Sequence, residues 1–212
     1  MPDTTLQDEI TEALLEIGAV RVDLSHPIRF RSGILSPIYC DNRLLLGYPV
    51  HRRRVAAAMA DVIRGLGNGV EGIVGTATAG IPHAAWVADR LELPMVYVRA
   101  EAKEHGAGRQ IEGGSVKGRR FVVVEDLITT GGSSLRTISA MREAGGEVSH
   151  CAAIFSYGFR EADEAFRSAG CTFSSLTGFD ALLRTHHDLT DAQRAELRRW
   201  HADPHAWRPE ES

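Results

Sequence analysis

Val122-Val123-Val124-Glu125-Asp126-Leu127-Ile128-Thr129-Thr130-Gly131-Gly132-Ser133-Ser134 joins an apolar β-branched run to two adjacent acids, then to a turn rich in hydroxyls and glycine. The run predicts a buried strand over residues 121–124, and the turn opens a helix predicted from Ser133 to Ala144. Open α/β sheets place their ligands at the carboxyl ends of strands, which is where Glu125 and Asp126 fall. The turn offers free backbone N–H groups and the positive end of a helix to an anion. Gly131 and Gly132 let the main chain approach that anion without a Cβ in the way, and Thr129, Thr130, Ser133 and Ser134 add hydroxyl donors. Carboxylates repel a phosphate, so the two acids are expected on another part of the ligand, most simply sugar hydroxyls. The chemistry is that of a phosphorylated sugar. A plain strand, polar turn and capped helix could be built with less, and adjacent acids followed by Thr-Thr-Gly-Gly-Ser argue against that reading.

Outward from this stretch, apolar periodicity predicts a helix from Leu6 to Ile17, a loop-and-strand segment from Val20 to Leu46, and a helix from Val50 to Leu66. Strands follow at residues 70–75, 95–98, 148–155 and 172–176, with helices at 80–91 and 161–169 between them. Strands alternating with helices of this length predict an α/β fold: a mainly parallel twisted sheet flanked by helices, with a small N-terminal hood. The division expected is residues 1–46 for the N-terminal helix and hood, 47–178 for the core, and 179–212 for a helical tail. Residues 99–120 break the alternation with charges among glycines, and are expected to be a lid that leaves a strand end beside the phosphate turn. Gly75-Thr76-Ala77-Thr78-Ala79-Gly80-Ile81-Pro82 is a second strand-to-helix turn of small residues. Its amides, at Thr78 and Ala79 above all, could receive a phosphate opposite the first turn, or the segment could simply be a tightly packed connection.

At 212 residues the chain fits one such domain, and its apolar and charged fractions are those of an ordinary soluble protein. No apolar run approaches the roughly 20 residues needed to cross a bilayer, and the first residues lack a secretory pattern, so no membrane association is expected. Three cysteines without CxxC spacing predict neither a disulfide framework nor a zinc site, and point to a reducing cytoplasm. A net charge of −4 argues against nucleic acid as a partner.

The Glu125-to-Ser134 stretch resembles the phosphoribosyl pyrophosphate (PRPP) motif of type I phosphoribosyltransferases; no Gly-Lys-Ser/Thr follows that would make it a Walker A loop. Breaking the C1–pyrophosphate bond leaves oxocarbenium character on the sugar, so such a site must neutralise a departing polyanion, hold the sugar and exclude water. Glu125 and Asp126 fit the second task, and Asp126 could also stabilise positive charge on the ring. Arg99, Lys103 and His105 fit the first, brought down when the lid closes. Mg²⁺ is expected on the pyrophosphate through substrate oxygens and water, with no protein cage.

Phe30-Arg31-Ser32-Gly33-Ile34-Leu35-Ser36-Pro37-Ile38-Tyr39-Cys40-Asp41-Asn42-Arg43 is similar to the hood of orotate phosphoribosyltransferases, and residues 99–106 are similar to that family's catalytic loop. The likeness extends through Gly75 to Asp89, Tyr97 to Gly132, the turn at 155–159 and the tail at 179–183. The resemblance implies transfer of the 5-phosphoribosyl group from PRPP to orotate, giving orotidine 5′-monophosphate and pyrophosphate in pyrimidine synthesis. It implies that Arg99, Lys103 and His105 meet the pyrophosphate. Glu125, Asp126, Leu127, Ile128, Thr129, Thr130, Gly131, Gly132 and Ser133 would hold the ribose 5-phosphate. Thr129, Arg31 and Phe30 would stand by orotate, whose carboxylate a fixed guanidinium suits. It further implies a homodimer whose lid serves the neighbouring subunit's site. Ala100 and Ala79 stand where many or some members have lysines, and Tyr157 lies near an orotate-binding arginine of other members, with Arg160 close in sequence.

Two other functions compete. A purine or uracil phosphoribosyltransferase would need a different base pocket from this hood. A PRPP-sensing regulator would need a basic nucleic-acid-binding element and a degraded lid, whereas residues 3–12 carry only acidic charges and Lys103 and His105 are present.

Overall fold

The alternation of apolar runs and amphipathic segments becomes a covered sheet in the computed structural model, which describes residues 3–30, 32–67, 69–99 and 110–209. In chain order come α1 (Thr4–Glu16), β1 (Val20–Val22), β2 (Ile28–Arg29), β3 (Leu35–Ser36), β4 (Ile38–Cys40), a 3-10 helix (Asn42–Gly47) and α2 (Pro49–Arg64). Then follow β5 (Gly72–Thr76), α3 (Gly80–Leu91), β6 (Met95–Val98), β7 (Ile111–Glu112), β8 (Arg120–Ile128) and α4 (Gly132–Glu143). The chain continues through β9 (Glu147–Ser156), α5 (Arg160–Ser168), β10 (Thr172–Gly178), α6 (Phe179–Thr185) and α7 (Asp191–Ala202). The central sheet has the order β10-β9-β8-β5-β6-β7 and is parallel except where β7 runs against β6. The predicted fold class is observed.

Local chemistry explains the boundaries. Asp3 accepts a hydrogen bond from the Leu6 N–H and caps α1, Pro49 opens α2 where its missing N–H costs nothing, and Thr190 with Gln193 forms a capping box on α7. One sheet face buries Ile10, Leu14, Val55, Met59, Ile63 and Val87 from α1 to α3 against Val122, Val124 and Ile154. The other buries Ile138, Met141 and Phe166 from α4 and α5 against Val74, Val96 and Val123. Each such side chain contributes about 1.5–3 kcal/mol of transfer free energy. Strands covered on both faces read as unbroken apolar runs, which is why Val122-Val123-Val124 shows no alternation.

The structure departs from expectation in two places. β8 runs four residues further than expected, to Ile128, so both acids lie inside the strand. Residues 110–120, expected as the second half of a lid, instead carry β7 and a turn in which Val116 is 3 % exposed. Val116 and Ile111 join the α4–α5 face, so a few well-placed apolar side chains hold a segment of low average hydropathy. The hood is two small antiparallel pairs, β1 with β4 and β2 with β3, leading into the 3-10 helix. Among the described residues no helix is long and apolar enough to cross a membrane.

Candidate active site

At the carboxyl end of β5 the turn into α3 lies against β8 where that strand carries the acids. A Cβ on Gly80 would stand 2.6 Å from the Val124 carbonyl oxygen and 3.4 Å from Glu125 Cα. Only a glycine allows α3 to start this close to the strand that carries the acids. Gly131 sits at φ +83°, the left-handed region, and no side chain caps the first-turn amides of α4. Those amides are open to an anion. Thr129 and Thr130 are half-buried beside them.

The adjacent acids have different surroundings. Glu125 is 3 % exposed, and its Oε2 accepts hydrogen bonds from Ser133 Oγ at 3.0 Å and Ser134 Oγ at 2.9 Å. Burial, then the neighbouring Asp126 charge, pushes its carboxyl up to about 8. Burial thus favours the protonated acid, and the two serine hydrogen bonds tie the strand to the first turn of α4. Asp126 is more open, and burial raises its carboxyl as well. It lies on the hood side, near Cys40 and Asp41, where Asn42 Nδ2 donates to its backbone oxygen at 2.6 Å. Burial raises both carboxyls, and the two side chains also hydrogen-bond to each other. Leu127 and Ile128 turn their side chains into the two apolar faces, so only their main chain can meet a ligand.

Arg99 follows β6, held by a backbone pair with Gln110 in which Arg99 N donates at 2.9 Å. Its Nη1 is buried without an acceptor among the described residues. A buried cationic nitrogen in that condition is costly unless an anion completes it. Thr76 Oγ1, at the end of β5, is likewise buried and unpartnered. Thr78 is exposed and Ala79 half-buried at the mouth of that turn, and the Ala77–Thr78 peptide is cis. Lys103, His105, Ala100 and Arg31 lie outside the described residues.

In the hood, the half-buried Phe30 ring packs 5.1 Å from Tyr157. Tyr157 is fully buried and donates its hydroxyl to the Ile38 carbonyl at 3.2 Å, so it anchors the hood. Arg160 points away, 90 % exposed and paired with Glu164 on its own helix at 3.2 Å. Among the described residues no cluster of three or more His, Cys, Asp or Glu could hold a metal. Asp126, half-buried on the strand that leads into α4, fits an ion carried in on a substrate rather than one held in a protein cage.

Sequence reasoning overlooked Asn42 and the unpartnered hydroxyl of Thr76. The only signal for either was its place inside a segment already singled out.

Comparison with known proteins shows the family. Residues 49–178 match the model of the phosphoribosyl transferase domain. The chain is 47 % identical over 206 residues to an orotate phosphoribosyltransferase of Listeria monocytogenes, covering 96 % of this chain and 99 % of that one. It is 48 % identical over 210 residues to the orotate phosphoribosyltransferase of Bacillus caldolyticus, covering 95 % and 99 %. Among solved structures it is similar to orotate phosphoribosyltransferase from Aeropyrum pernix, with a TM-score of 0.73 and 31 % identity over 84 % of this chain and 97 % of that one.

Proposed function

The chain belongs to the orotate phosphoribosyltransferase family, and from that premise we propose how its own residues serve the reaction. The enzyme transfers the 5-phosphoribosyl group of PRPP to orotate, giving orotidine 5′-monophosphate and pyrophosphate in pyrimidine biosynthesis. The C1–oxygen bond to pyrophosphate breaks, and an orotate ring nitrogen forms the new C1–N bond and gives up its proton. The α4 amides, Thr129, Thr130 and the 131–133 backbone receive the 5-phosphate. Asp126 accepts the ribose hydroxyls and faces the developing positive charge, while buried Glu125 holds the turn beneath it. Arg99, with Lys103 and His105, takes the charge of the leaving pyrophosphate together with the amides at Thr78 and Ala79. Phe30, Arg31 and Thr129 border the base.

The observation that carries this assignment is the buried Glu125, bonded to Ser133 and Ser134, beneath a helix start that no side chain caps. Mg²⁺ bound on PRPP would neutralise charge on the pyrophosphate, held through substrate oxygens and water. We place the enzyme in the cytoplasm, since Cys40, Cys151 and Cys171 are buried thiols without disulfides. We also assign a homodimer whose lid loop serves the partner's site.

A spectrophotometric assay tests the activity: orotate absorbance must fall with PRPP and Mg²⁺, and must not fall when a chelator removes the ion. Adenine, guanine and uracil should fail to compete. Mixing inactive Lys103→Ala and Asp126→Ala proteins should restore activity if the lid is shared, and sedimentation should give twice the chain mass.

A further inference from the structure

We propose that Asn42 is a positioning residue for phosphoribosyl transfer, gripping the peptide of Asp126 from the hood. Asn42 is fully buried, and its Nδ2 donates to the Asp126 backbone oxygen at 2.6 Å, joining positions 84 apart in the chain. The other end of the amide is also committed, since Oδ1 accepts from Cys40 Sγ at 3.6 Å. Burial pushes the Cys40 thiol up, which keeps it protonated as the donor. With both ends partnered, the amide has one orientation.

The place of this bond gives it consequence. β8 outruns its pairing with β5, which stops at Gly75 opposite Val124, and Asn42 bonds the strand beyond that point. Other side chains also fix the hood: Tyr157 donates to Ile38 and Trp200 Nε1 donates to Leu35 at 2.9 Å. Those two act on hood backbone, whereas Asn42 acts on the backbone of the residue assigned to the sugar. A carboxylate direction follows from its own peptide, so a loosened Asp126 carbonyl misaims the carboxylate at C1. Misplacement of that order costs up to about a hundredfold in rate. The hood segment that borders the base is thereby tied to the strand that holds the donor. This inference rests on the reading of Asp126 given above.

The test compares wild type, Asn42→Ala, Asn42→Asp and Tyr157→Phe in the orotate–PRPP–Mg²⁺ assay, with melting temperature read in parallel. Asn42→Ala should lose at least about tenfold in kcat at saturating substrates. Tyr157→Phe, which frees the hood elsewhere, should lower the melting temperature and keep kcat within about twofold. Asn42→Asp puts a carboxyl among Cys40, Asp41 and Arg43 of the hood and Glu125 and Asp126 of β8. As pH falls that carboxyl gains a proton and can donate to Asp126, so its kcat relative to wild type should recover toward pH 5, while Asn42→Ala does not recover. An unchanged kcat in Asn42→Ala overturns the proposal. So do equal losses in Asn42→Ala and Tyr157→Phe, which would mean general loosening. If Asn42→Ala does not fold, a flat relative pH profile in Asn42→Asp overturns it. Wild-type protein inactive with orotate would instead refute the assigned reaction.

Discussion

Replacing Gly80 by alanine asks whether the turn into α3 is held against β8 by contact. The added Cβ would lie 2.6 Å from the Val124 carbonyl oxygen. Carbon–oxygen contacts settle near 3.3 Å or beyond, so about 0.7 Å of separation must open. Both partners are main chain, and no rotamer change relieves the overlap. Overpacking of this kind costs about 1–3 kcal/mol. Alanine's helix propensity returns at most about 1 kcal/mol, and less at a first-turn position. The net loss of about 1–2 kcal/mol corresponds to a melting temperature lower by roughly 2–8 °C for a chain of this size. Catalysis should suffer more. The displacement carries Thr78 and Ala79 away from Glu125 and Asp126, and shifts approaching 1 Å cost up to about a hundredfold. A fall in kcat/KM for PRPP of roughly ten- to a hundredfold is expected in the orotate absorbance assay, with the variant still folded by circular dichroism. Wild-type kcat/KM together with an unchanged melting temperature would refute the claim that this contact sets the distance between the turn and β8.

Lys103→Ala should cut turnover by more than about tenfold, as for a lost transition-state cation, and single-turnover kinetics at saturating PRPP will show whether the chemical step slows. Glu125 in the folded protein binds its proton more tightly than at its ordinary 4.5, at about 8. Its contribution to stability is therefore complete below about pH 4.5 and is lost as pH rises through 8. Glu125→Gln, which cannot ionise, should flatten the fall in denaturation midpoint between about pH 5 and 9; parallel profiles would remove the buried proton from the account. His83 is buried without hydrogen-bond partners among the described residues, and burial lowers it from 6.5 to about 4. The neutral ring is favoured on folding, so its contribution is present above pH 6.5 and lost as pH falls toward 4. His83→Leu should move the acid unfolding midpoint to lower pH, and an unchanged midpoint would refute this.

Much of the fold was legible because α/β architecture is written in local periodicity. α3 and β6 fall where the apolar pattern predicts, and most other ends shift by a residue or two, where capping rather than burial decides. The lid boundary was misjudged because Ile111 and Val116 are isolated apolar residues in a charged stretch, and their partners across the sheet are distant in sequence. The strand–turn–helix over residues 122–134 was readable for the opposite reason: strand, acids, glycines and hydroxyls are contiguous. What happens to each acid was not. The same two neighbouring carboxyls end with one buried and bonded to the serines of the turn and the other on the hood side.

By itself, then, the sequence determined a parallel α/β sheet and the strand–turn–helix at its centre, because those depend on residues within a few positions of one another. Tertiary structure alone decided that Glu125 bonds the turn, that Tyr157 anchors the hood, and that Asn42 reaches Asp126. Each of the last two is a hydrogen bond between segments 119 and 84 positions apart. Burial of the whole molecule sets the protonation of the first. No local pattern encodes distances or desolvation of that kind.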